Sequence, residues 1–361
     1  MKILTIIIPT YNMERYLRKC LDSLIVSEEN MRRLEVLVVN DGSKDSSLAI
    51  GHEYEAKYPQ TFRVIDKENG NYGSCVNRGL KEATGKYVKV LDADDYFDAT
   101  VFDEFIYFLQ DKDVDLIISD FSVVDESGNC LSKVTYDLPL SRLFGLKDIP
   151  TGMNPLLIHH CITYKRDVFA RFAYKQTEGI SYTDDEWVFK PMMWVGNVLY
   201  FPKTLYFYLR GREGQTFDPE IVERTLEQRI MVAKEMITFF KGNNESCRKD
   251  NFVFVVNKIA GRLISLYNCH LILFPSFLNN KRIGLFDCKI KELVPTIYEM
   301  LNDVKSKRGA FYIKQWRLTG HSFWTPILVV MRLKRTFKRM KGESDVLIEQ
   351  MPDHLKRKKE L

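Results

Sequence analysis

The chain is poor in the features that mark disordered, secreted or membrane-spanning proteins. Its 361 residues include only 12 prolines and 19 glycines, far fewer than low-complexity or collagen-like chains contain. The seven cysteines are an odd number without a C-x-x-C pair, which suits reduced thiols and argues against a disulfide framework or a zinc site. The N-terminal apolar run is too short for a secretory signal, and no other run reaches the roughly 18 residues of a membrane-spanning helix. We therefore expect a folded protein of the cytoplasm.

Charge is distributed unevenly along the chain. Residues 1–215 carry 26 Lys and Arg against 32 Asp and Glu, a net of −6, whereas residues 216–361 carry 27 against 16, a net of +11. With 45% hydrophobic residues, a chain of this length can bury one large core or two smaller ones. The asymmetry predicts two regions with different partners, divided near residue 215.

Five apolar runs of strand length, rich in β-branched residues, recur in the first 120 residues, and amphipathic segments separate most of them. The runs read ILTIII, LEVLVV, FRVI, YVKVL and VDLIIS. Alternating strands and helices predict an α/β fold with a mostly parallel, Rossmann-like sheet. Polar clusters follow the first four runs, at Pro9–Asn12, Asn40–Ser43, Asp66–Gly73 and Asp92–Asp95. Because ligands bind outside the carboxyl ends of such strands, we expect these clusters to form one binding rim.

The last cluster places three carboxylates, Asp92, Asp94 and Asp95, within four positions. Such groups repel one another unless a cation or several hydrogen-bond donors compensate them. The chain contains no G-x-G-x-x-G after its first strand and no phosphate-binding G-x-x-x-x-G-K-[ST] loop. A diphosphate at this rim would therefore need another positive partner, and a divalent cation held by the carboxylates can supply it.

Four segments, IIIPTYNMERYLRKCLDSL, VLVVNDGSKDSS, NGNYGSCVNRGLKEATGKYV and LDADD, resemble in order and spacing the successive motifs of the family 2 glycosyltransferases, which have the GT-A fold. The resemblance covers roughly residues 1–215. It implies that the Pro9–Tyr11 turn and Asp41 hold the base and ribose of a nucleotide. It also implies a D-x-D motif in which Asp92 faces ribose or sugar and Asp94 ligates Mn²⁺ or Mg²⁺. The candidate donor-binding residues are Pro9, Thr10, Tyr11, Asp41, Asn69, Asp92, Ala93, Asp94 and Arg212.

Each of these assignments has a structural alternative. Asp41, followed by Gly and Ser, could be a strand-end turn that caps the next helix. Tyr11 could be a packing aromatic, and Asp95 could cap the helix that follows it. Arg212, in the segment YLRGREGQT, could contact the diphosphate or the acceptor, or it could be a solvated loop charge.

A second acidic segment, ISYTDDEWVFKPMMW, precedes a helical pattern. Taken alone, it could be an acidic helix N-terminus that complements the helix dipole. Members of the family that the chain resembles carry E-D-x-x-[FW] here, with the Asp as general base. Alignment on Trp187 implies that Asp184 is the base, with Thr183 in place of the usual Glu, and leaves Asp185 as the alternative.

His159 and His160 could suggest a metal site. Neighbours on a strand face opposite sides, however, so at most one of them could face the rim, and we expect a core or acceptor-pocket role.

Beyond residue 216 the pattern is helical, with 219–240, 251–274 and 290–305 as predicted helices and 241–246 and 275–280 as loops. An accessory helical domain over 216–361 is the simplest interpretation. Its tail, TPILVVMRLKRTFKRMK, fits a helix lying on an anionic membrane surface. The alternative is a helix docked on its own domain with a basic solvent face. No nucleic-acid recognition motif accompanies the basic tail.

The resemblance, taken with these features, implies an inverting, metal-dependent glycosyltransferase. It would move a sugar from a nucleotide-diphosphate donor, expected to be a UDP-sugar, to a glycan or lipid-linked acceptor in cell-surface polysaccharide synthesis. Its expected location is the cytoplasm, peripherally on the inner face of the membrane. A haloacid-dehalogenase-like phosphatase is one alternative. In that class, however, the D-x-D motif follows the first core strand, whereas here it follows the fourth. A catalytically inactive nucleotide-sugar-binding scaffold is the other.

Overall fold

A computed structural model describes residues 1–153, 157–212, 215, 219–302 and 311–340, with side chains through residue 337. The chain divides into two compact units. The first contains Met1–Gln215 and Arg248–Asn251, and the second contains Thr216–Cys247 and the described residues from Phe252 onward.

The first unit is built on one mixed sheet with the strand order β3-β2-β1-β4-β8-β6-β9-β5, and β7 pairs with β6. The strands are β1 Leu4–Thr10, β2 Leu34–Asn40, β3 Phe62–Asp66, β4 Tyr87–Val90, β5 Tyr96–Phe97, β6 Leu116–Val124, β7 Cys130–Val134, β8 Ile162–Lys165 and β9 Val198–Leu209. The helices of this unit are α1 Glu14–Asp22, α2 Glu28–Arg33, α3 Ser47–Lys57, α4 Asn71–Glu82, α5 Ala99–Leu109 and α6 Asp184–Met192.

The five strands predicted from the apolar runs are confirmed as β1, β2, β3, β4 and β6. The first four pair in parallel. Strand β8 is antiparallel to both β4 and β6, so β6 runs in the same direction as β4. Every residue of β2 and β6 is buried, as expected for strands covered on both faces.

Helix α4 lies against β1 because glycine allows close approach there. A Cβ atom built on Gly79 would lie 2.4 Å from Ile7 Cγ2, closer than packed carbon atoms come.

Helix α5 begins after Asp98, whose Oδ1 accepts a hydrogen bond from the Val101 amide at 3.0 Å. The alternative that Asp95 caps this helix is therefore wrong, because Asp98 caps it.

The second unit is helical. Its elements are α7 Pro219–Arg224, α8 Leu226–Asn243, α9 Phe252–Asn268, a π-helical segment Cys269–Leu273, α10 Phe277–Leu293, α11 Pro295–Met300, α12 Phe311–Leu318 and α13 Pro326–Met340. The loop predicted at 275–280 is wrong, because α10 begins inside it: the Ser276 side chain accepts from the Asn279 amide at 3.0 Å. The helix predicted at 290–305 is interrupted at Val294, because Pro295 lacks an amide hydrogen and restricts the residue before it. Residues 303–305 lie outside the described chain.

A charged cluster is buried in the second unit around Asp287. Its carboxylate accepts from Arg317 Nη2 at 2.6 Å, from His321 Nε2 at 2.9 Å and from the Tyr267 hydroxyl. Arg317 also donates to the Tyr298 carbonyl at 2.9 Å. Burial alone would raise the pKa of Asp287, but these donors lower it. The carboxylate is therefore ionised and needs its partners.

Arg317→Leu is expected to lower the free energy of unfolding by roughly 3–5 kcal/mol, because it leaves a buried carboxylate without its cation. Urea denaturation, followed by fluorescence of the neighbouring Trp316, measures this change. Arg282→Leu is the control, because the Arg282–Glu227 pair is partly exposed to solvent and such pairs contribute about 1 kcal/mol or less. If the free energy of unfolding fell equally and only slightly in both variants, the buried cluster would not be a major source of stability.

The C-terminal helix α13 packs with arginines turned inward. Arg332 Nε donates to the Leu271 carbonyl at 2.7 Å, and Arg335 donates to the carbonyls of Ile272 and Leu273. The apolar residues Val330, Leu333 and Phe337 are exposed instead. Helix α13 is therefore docked on its own unit, as the alternative interpretation expected. Lys334 is exposed beside the apolar residues, whereas Arg332 and Arg335 are partly buried. Among the described helices, none is both long and apolar enough to cross a bilayer.

Candidate active site

The four polar clusters lie together at the carboxyl ends of β1 to β4. The Asp41 amide donates to the Thr10 carbonyl at 2.8 Å, and the Lys67 amide donates to the Asn40 carbonyl at 3.0 Å. These bonds extend the parallel ladder beyond the strands and hold the first three clusters side by side. Tyr72 connects the third cluster to the fourth, because its hydroxyl donates to Asp92 Oδ1 at 3.0 Å.

The end of β1 presents one side chain to solvent. Pro9 is still paired with β2, and the buried Thr10 hydroxyl donates to the Ile8 carbonyl at 3.1 Å. Tyr11 is 46% exposed, so it is not a core aromatic. Asn12 has a φ of +53°, which asparagine tolerates better than most residues, and its Oδ1 accepts from the Lys44 amide at 2.8 Å.

Asp41 is buried and holds the third cluster in place. Its Oδ1 accepts from Lys67 Nζ and from the Gly70 amide at 2.9 Å. The Asn69 side-chain amide donates to the Asp41 carbonyl at 3.0 Å. These bonds point toward the loop before α4, so this carboxylate connects two clusters of the rim and does not cap α3.

The first aspartate of the D-x-D segment has protein donors on both oxygens. Tyr72 bonds Asp92 Oδ1, and His159 Nε2 lies 2.9 Å from Asp92 Oδ2. Burial alone would raise the pKa of Asp92, but the charge and hydrogen bond of His159 hold it well below its usual range. Asp92 is thus ionised, and its side chain remains 24% exposed. Ala93 is buried, which directs the two flanking aspartates to the rim.

Asp94 faces Arg212. Arg212 Nε donates to Asp94 Oδ2 at 2.6 Å, and the guanidinium carbon lies 5.5 Å from the centre of the Tyr16 ring. Burial raises the pKa of Asp94; Arg212 opposes that shift and the neighbouring Asp92 charge adds to it. Arg212 is therefore an ion-pair partner at the rim and not a solvated loop charge.

Asp95 is structural. Its Oδ2 accepts from the Tyr206 hydroxyl at 2.6 Å, and its Oδ1 accepts from the Leu209 amide at 2.7 Å. The Tyr206 hydroxyl also accepts from the Asp92 amide at 3.2 Å. Asp95 thus fixes the end of β9 against the loop after β4, and the segment that carries Arg212 begins at that point.

His159 and His160 are both buried, as a core role predicts. Both also reach Asp92, contrary to the alternation between faces expected of neighbours on a strand. They lie in a 3₁₀ turn, His159–Cys161, and not on a strand. His160 Nε2 lies 3.9 Å from Asp92 Oδ2 and 3.8 Å from Asp95 Oδ2. Burial and the charge of His159 lower the pKa of His160 to about 3. Its ring is therefore neutral at physiological pH.

The second acidic segment forms the start of α6. Thr183 precedes the helix, and the first turn holds Asp184, Asp185 and Glu186. Glu186 is fully buried and pairs with Lys190 Nζ at 2.7 Å, so it is a structural residue. Asp184 Oδ2 lies 3.8 Å from His159 Nδ1, and its side chain is 42% exposed. His159 therefore stands between the D-x-D segment and the predicted base.

Several residues of this site were not predicted from the sequence. Lys67, Tyr72 and Tyr206 each bond an acidic residue of the rim. Lys67 and Tyr72 belong to the third polar cluster, so their proximity to the rim could have been inferred. Tyr206 lies on β9, which carried no recognised motif.

The carboxylates fit a divalent cation in chemistry and spacing. Ligand oxygens of Asp92, Asp94 and Asp95 lie within 4.8 Å of one another, as do ligand atoms of Asp92, His159 and His160. The Asp95 carboxylate is fully buried and both of its oxygens accept hydrogen bonds. The oxygen donors that an ion can reach are therefore those of Asp92 and Asp94, whose side chains are partly exposed. Carboxylate oxygens suit Mg²⁺ and Mn²⁺.

Comparison with known proteins agrees with this geometry. Residues 5–172 match the family model described as Glycosyl transferase family 2. An uncharacterized glycosyltransferase of Mycoplasma genitalium is 45% identical over 95 residues, which are 26% of this chain and 32% of that protein. A minor teichoic acid biosynthesis protein of Bacillus subtilis is 28% identical over 176 residues, which are 48% of this chain and 19% of that protein. The chain thus spans a third or less of either relative's length.

The fold has a counterpart among solved structures. Residues 1–349 of S. aureus TarS, solved in complex with UDP-GlcNAc, superpose with a TM-score of 0.68 at 19% sequence identity. The match covers 96% of this chain and 93% of that one. It confirms the GT-A fold with a helical C-terminal region. Residues 5–172, slightly under half of the chain, are therefore a family 2 glycosyltransferase domain.

Proposed function

We propose that this protein is an inverting glycosyltransferase that transfers a sugar from a UDP-sugar to a hydroxyl group. The proposal depends above all on one observation: the D-x-D residue Asp92 and the predicted base Asp184 lie on opposite sides of His159, at 2.9 and 3.8 Å from its two ring nitrogens. A donor site and a base are thus close enough for one substrate to reach both.

The donor would lie along the rim. Tyr11 is exposed beside the first cluster, where its ring could stack on a nucleotide base. Asp41 and Asn69 would face the base and ribose, in line with the family resemblance. The complex of TarS with UDP-GlcNAc favours a uridine nucleotide as the first donor to test.

Asp94 would hold a Mn²⁺ or Mg²⁺ ion that the diphosphate shares. When bound, the ion would neutralise charge that develops on the leaving nucleotide. Arg212 is the second cation near this position, because it already pairs with Asp94. A guanidinium can bind phosphate oxygens through two N–H groups, so Arg212 would contact the diphosphate.

Asp184 would accept the proton of the acceptor hydroxyl as that oxygen attacks the sugar. Its carboxylate is partly exposed and lies at the start of α6, where an acceptor could reach it. Asp185 is the neighbouring candidate in the same turn. Attack from the side opposite the leaving diphosphate would invert the anomeric centre.

We assign transfer to residues 1–215 and an accessory role to residues 216–361, whose described part is helical. The teichoic acid relative favours a glycan or lipid-linked acceptor in cell-surface polysaccharide synthesis. The basic second region and the exposed apolar face of α13 would keep the enzyme on the cytoplasmic face of an anionic membrane.

A double substitution on α13 tests the membrane role. Leu333→Gln with Phe337→Gln should weaken binding to phosphatidylglycerol vesicles at least about tenfold, since burying each apolar side chain contributes roughly 1.5–3 kcal/mol. Co-sedimentation measures the bound fraction. The matched control places the same change on two exposed leucines of the first unit, Leu131 and Leu140, and should leave binding unchanged. Equal binding by all three proteins would remove the membrane from the proposal.

Thermal unfolding with nucleotides tests the donor. UDP with Mn²⁺ should raise the unfolding temperature of the wild-type protein more than UDP or Mn²⁺ alone, because a ligand that binds only the folded state stabilises it. GDP and ADP with Mn²⁺ are the comparison ligands. A larger shift with either of them would overturn the uridine assignment, and no shift with any nucleotide would contradict a donor site at the rim.

A further inference from the structure

His160 is a buried polar group whose carboxylate neighbours, Asp92 and Asp95, lie beyond hydrogen-bond distance of its ring. Only 4% of the residue is exposed, and among the described residues neither ring nitrogen has a hydrogen-bond partner. A buried imidazole normally bonds through at least one nitrogen, because an unsatisfied polar atom costs stability. His160 is therefore either satisfied by something that it binds or held in place at a cost.

The groups around His160 define what it could bind. Its Nε2 lies 3.9 Å from Asp92 Oδ2, and His159 Nε2 lies 2.9 Å from the same oxygen. Two ligand atoms of one ion with bonds of about 2.1 Å lie roughly 3.0 Å apart at a right angle and roughly 4.2 Å apart in line. The distances from Asp92 Oδ2 to the two histidine nitrogens, 2.9 and 3.9 Å, fall at or near this range.

We propose that Asp92, His159 and His160 form a binding site for one transition-metal ion, separate from the ion proposed at Asp94. Two imidazoles and one carboxylate are the ligand set of Mn²⁺, Fe²⁺, Co²⁺ and Zn²⁺ sites, whereas Mg²⁺ prefers oxygen ligands. The proposal builds on the donor site proposed above, because Asp92 belongs to both.

The surroundings of the cluster suit such an ion. The second nitrogen of His159 faces Asp184, and metal-bound histidines commonly direct their other N–H to a carboxylate. The rings of Tyr206 and Tyr208 pack on His160 at centroid distances of 4.6 and 4.4 Å and fix its orientation. Asp92 is partly exposed, so an ion can enter from the rim. A bound ion would anchor Asp92 and aim His159 at Asp184.

Spectroscopy of the bound metal, without nucleotide, tests the proposal on tag-free protein. With Mn²⁺ bound, pulsed electron paramagnetic resonance should show coupling to imidazole ¹⁴N, and Co²⁺ should give visible absorption bands of a nitrogen-containing site. Mg²⁺ in excess should not displace the Co²⁺. Mn²⁺ bound without any ¹⁴N coupling would overturn the proposal, because it would show an oxygen-only site.

Three variants locate the ion. His160→Phe keeps the stacked ring and should weaken Co²⁺ binding at least about tenfold, as changes even around metal ligands commonly do. His52→Asn removes a solvent-exposed histidine and should change nothing. Asp94→Ala should keep the nitrogen-coordinated ion, which separates this site from the donor site. Co²⁺ affinity that falls in His52→Asn, or that is unchanged in His160→Phe, would refute the assignment.

Discussion

Asp184→Asn is expected to reduce sugar transfer by roughly 10²–10⁴-fold while leaving UDP binding unchanged. The substitution keeps the size and polarity of the side chain but removes the proton acceptor. A general base acts in the transition state, so its loss lowers turnover far more than donor affinity. Initial rates of UDP release with acceptor present measure the first quantity, and calorimetric titration with UDP and Mn²⁺ measures the second.

Asp185→Asn is the matched control, because it makes the same change one residue later in the same helical turn. We expect a milder effect, since Asp184 is the residue that lies near His159. The reverse order of effects would make Asp185 the base. If neither variant slows transfer by about tenfold, this segment is only an acidic helix N-terminus, and the base lies elsewhere.

Asp94→Ala should weaken Mn²⁺-dependent UDP binding at least about tenfold, because even residues that only orient metal ligands contribute roughly 10–100-fold to metal affinity. The fold should persist. Removing this carboxylate relieves its repulsion with Asp92 and Asp95, which offsets the loss of the Arg212 ion pair. Calorimetry with and without Mn²⁺ measures the metal-dependent part of the affinity.

Asp113→Ala is the control for this variant, because Asp113 is an exposed carboxylate outside the rim. It precedes β6 and pairs with Lys165 of β8. The control variant should bind UDP as the wild-type protein does. Unchanged metal-dependent affinity in Asp94→Ala would remove Asp94 from the cation site. A loss of UDP affinity that is equal with and without Mn²⁺ would instead indicate that Asp94 acts through Arg212.

The sequence predicted the half of the sheet that carries the rim, because each of its strands is a mostly apolar run followed by polar residues. Strand β9 was missed for a physical reason. Its sequence, VLYFPKTLYFYL, is interrupted by Pro202, and its pairing with β6 shifts register near Asp120. Proline and an irregular register are typical of strand interruptions, so the run does not read as one strand.

The groups that balance the charge of the three rim aspartates could be predicted from the sequence only in part. A cation was inferred from the repulsion among the three aspartates, yet His159, Arg212 and Tyr206 already compensate them in the protein itself. Contacts between residues 60 to 120 positions apart depend on tertiary structure and leave no local signal. The two histidines were misjudged because alternation between faces applies to strands, and these residues lie in a 3₁₀ turn.

The orientation of α13 shows a similar limit. A basic solvent face was one interpretation of its charge pattern, and Lys334 is exposed. The π-helical segment at Cys269–Leu273, however, provides carbonyl groups that accept from Arg332 and Arg335. Carbonyls near a helix end often need donors from elsewhere in the protein. A pattern of residues along one helix cannot reveal that need.

Product analysis with a panel of UDP-sugars tests transfer at the rim most directly. Wild-type protein with Mn²⁺ should release UDP from one donor, faster with a glycan or lipid-linked acceptor, and Asp184→Asn should bind that donor without releasing UDP. Release of inorganic phosphate from phosphosugars, with UDP-sugars left intact, would instead indicate a phosphatase. Donor binding without any release of UDP by the wild-type protein would contradict the proposed transfer and indicate a nucleotide-sugar-binding scaffold.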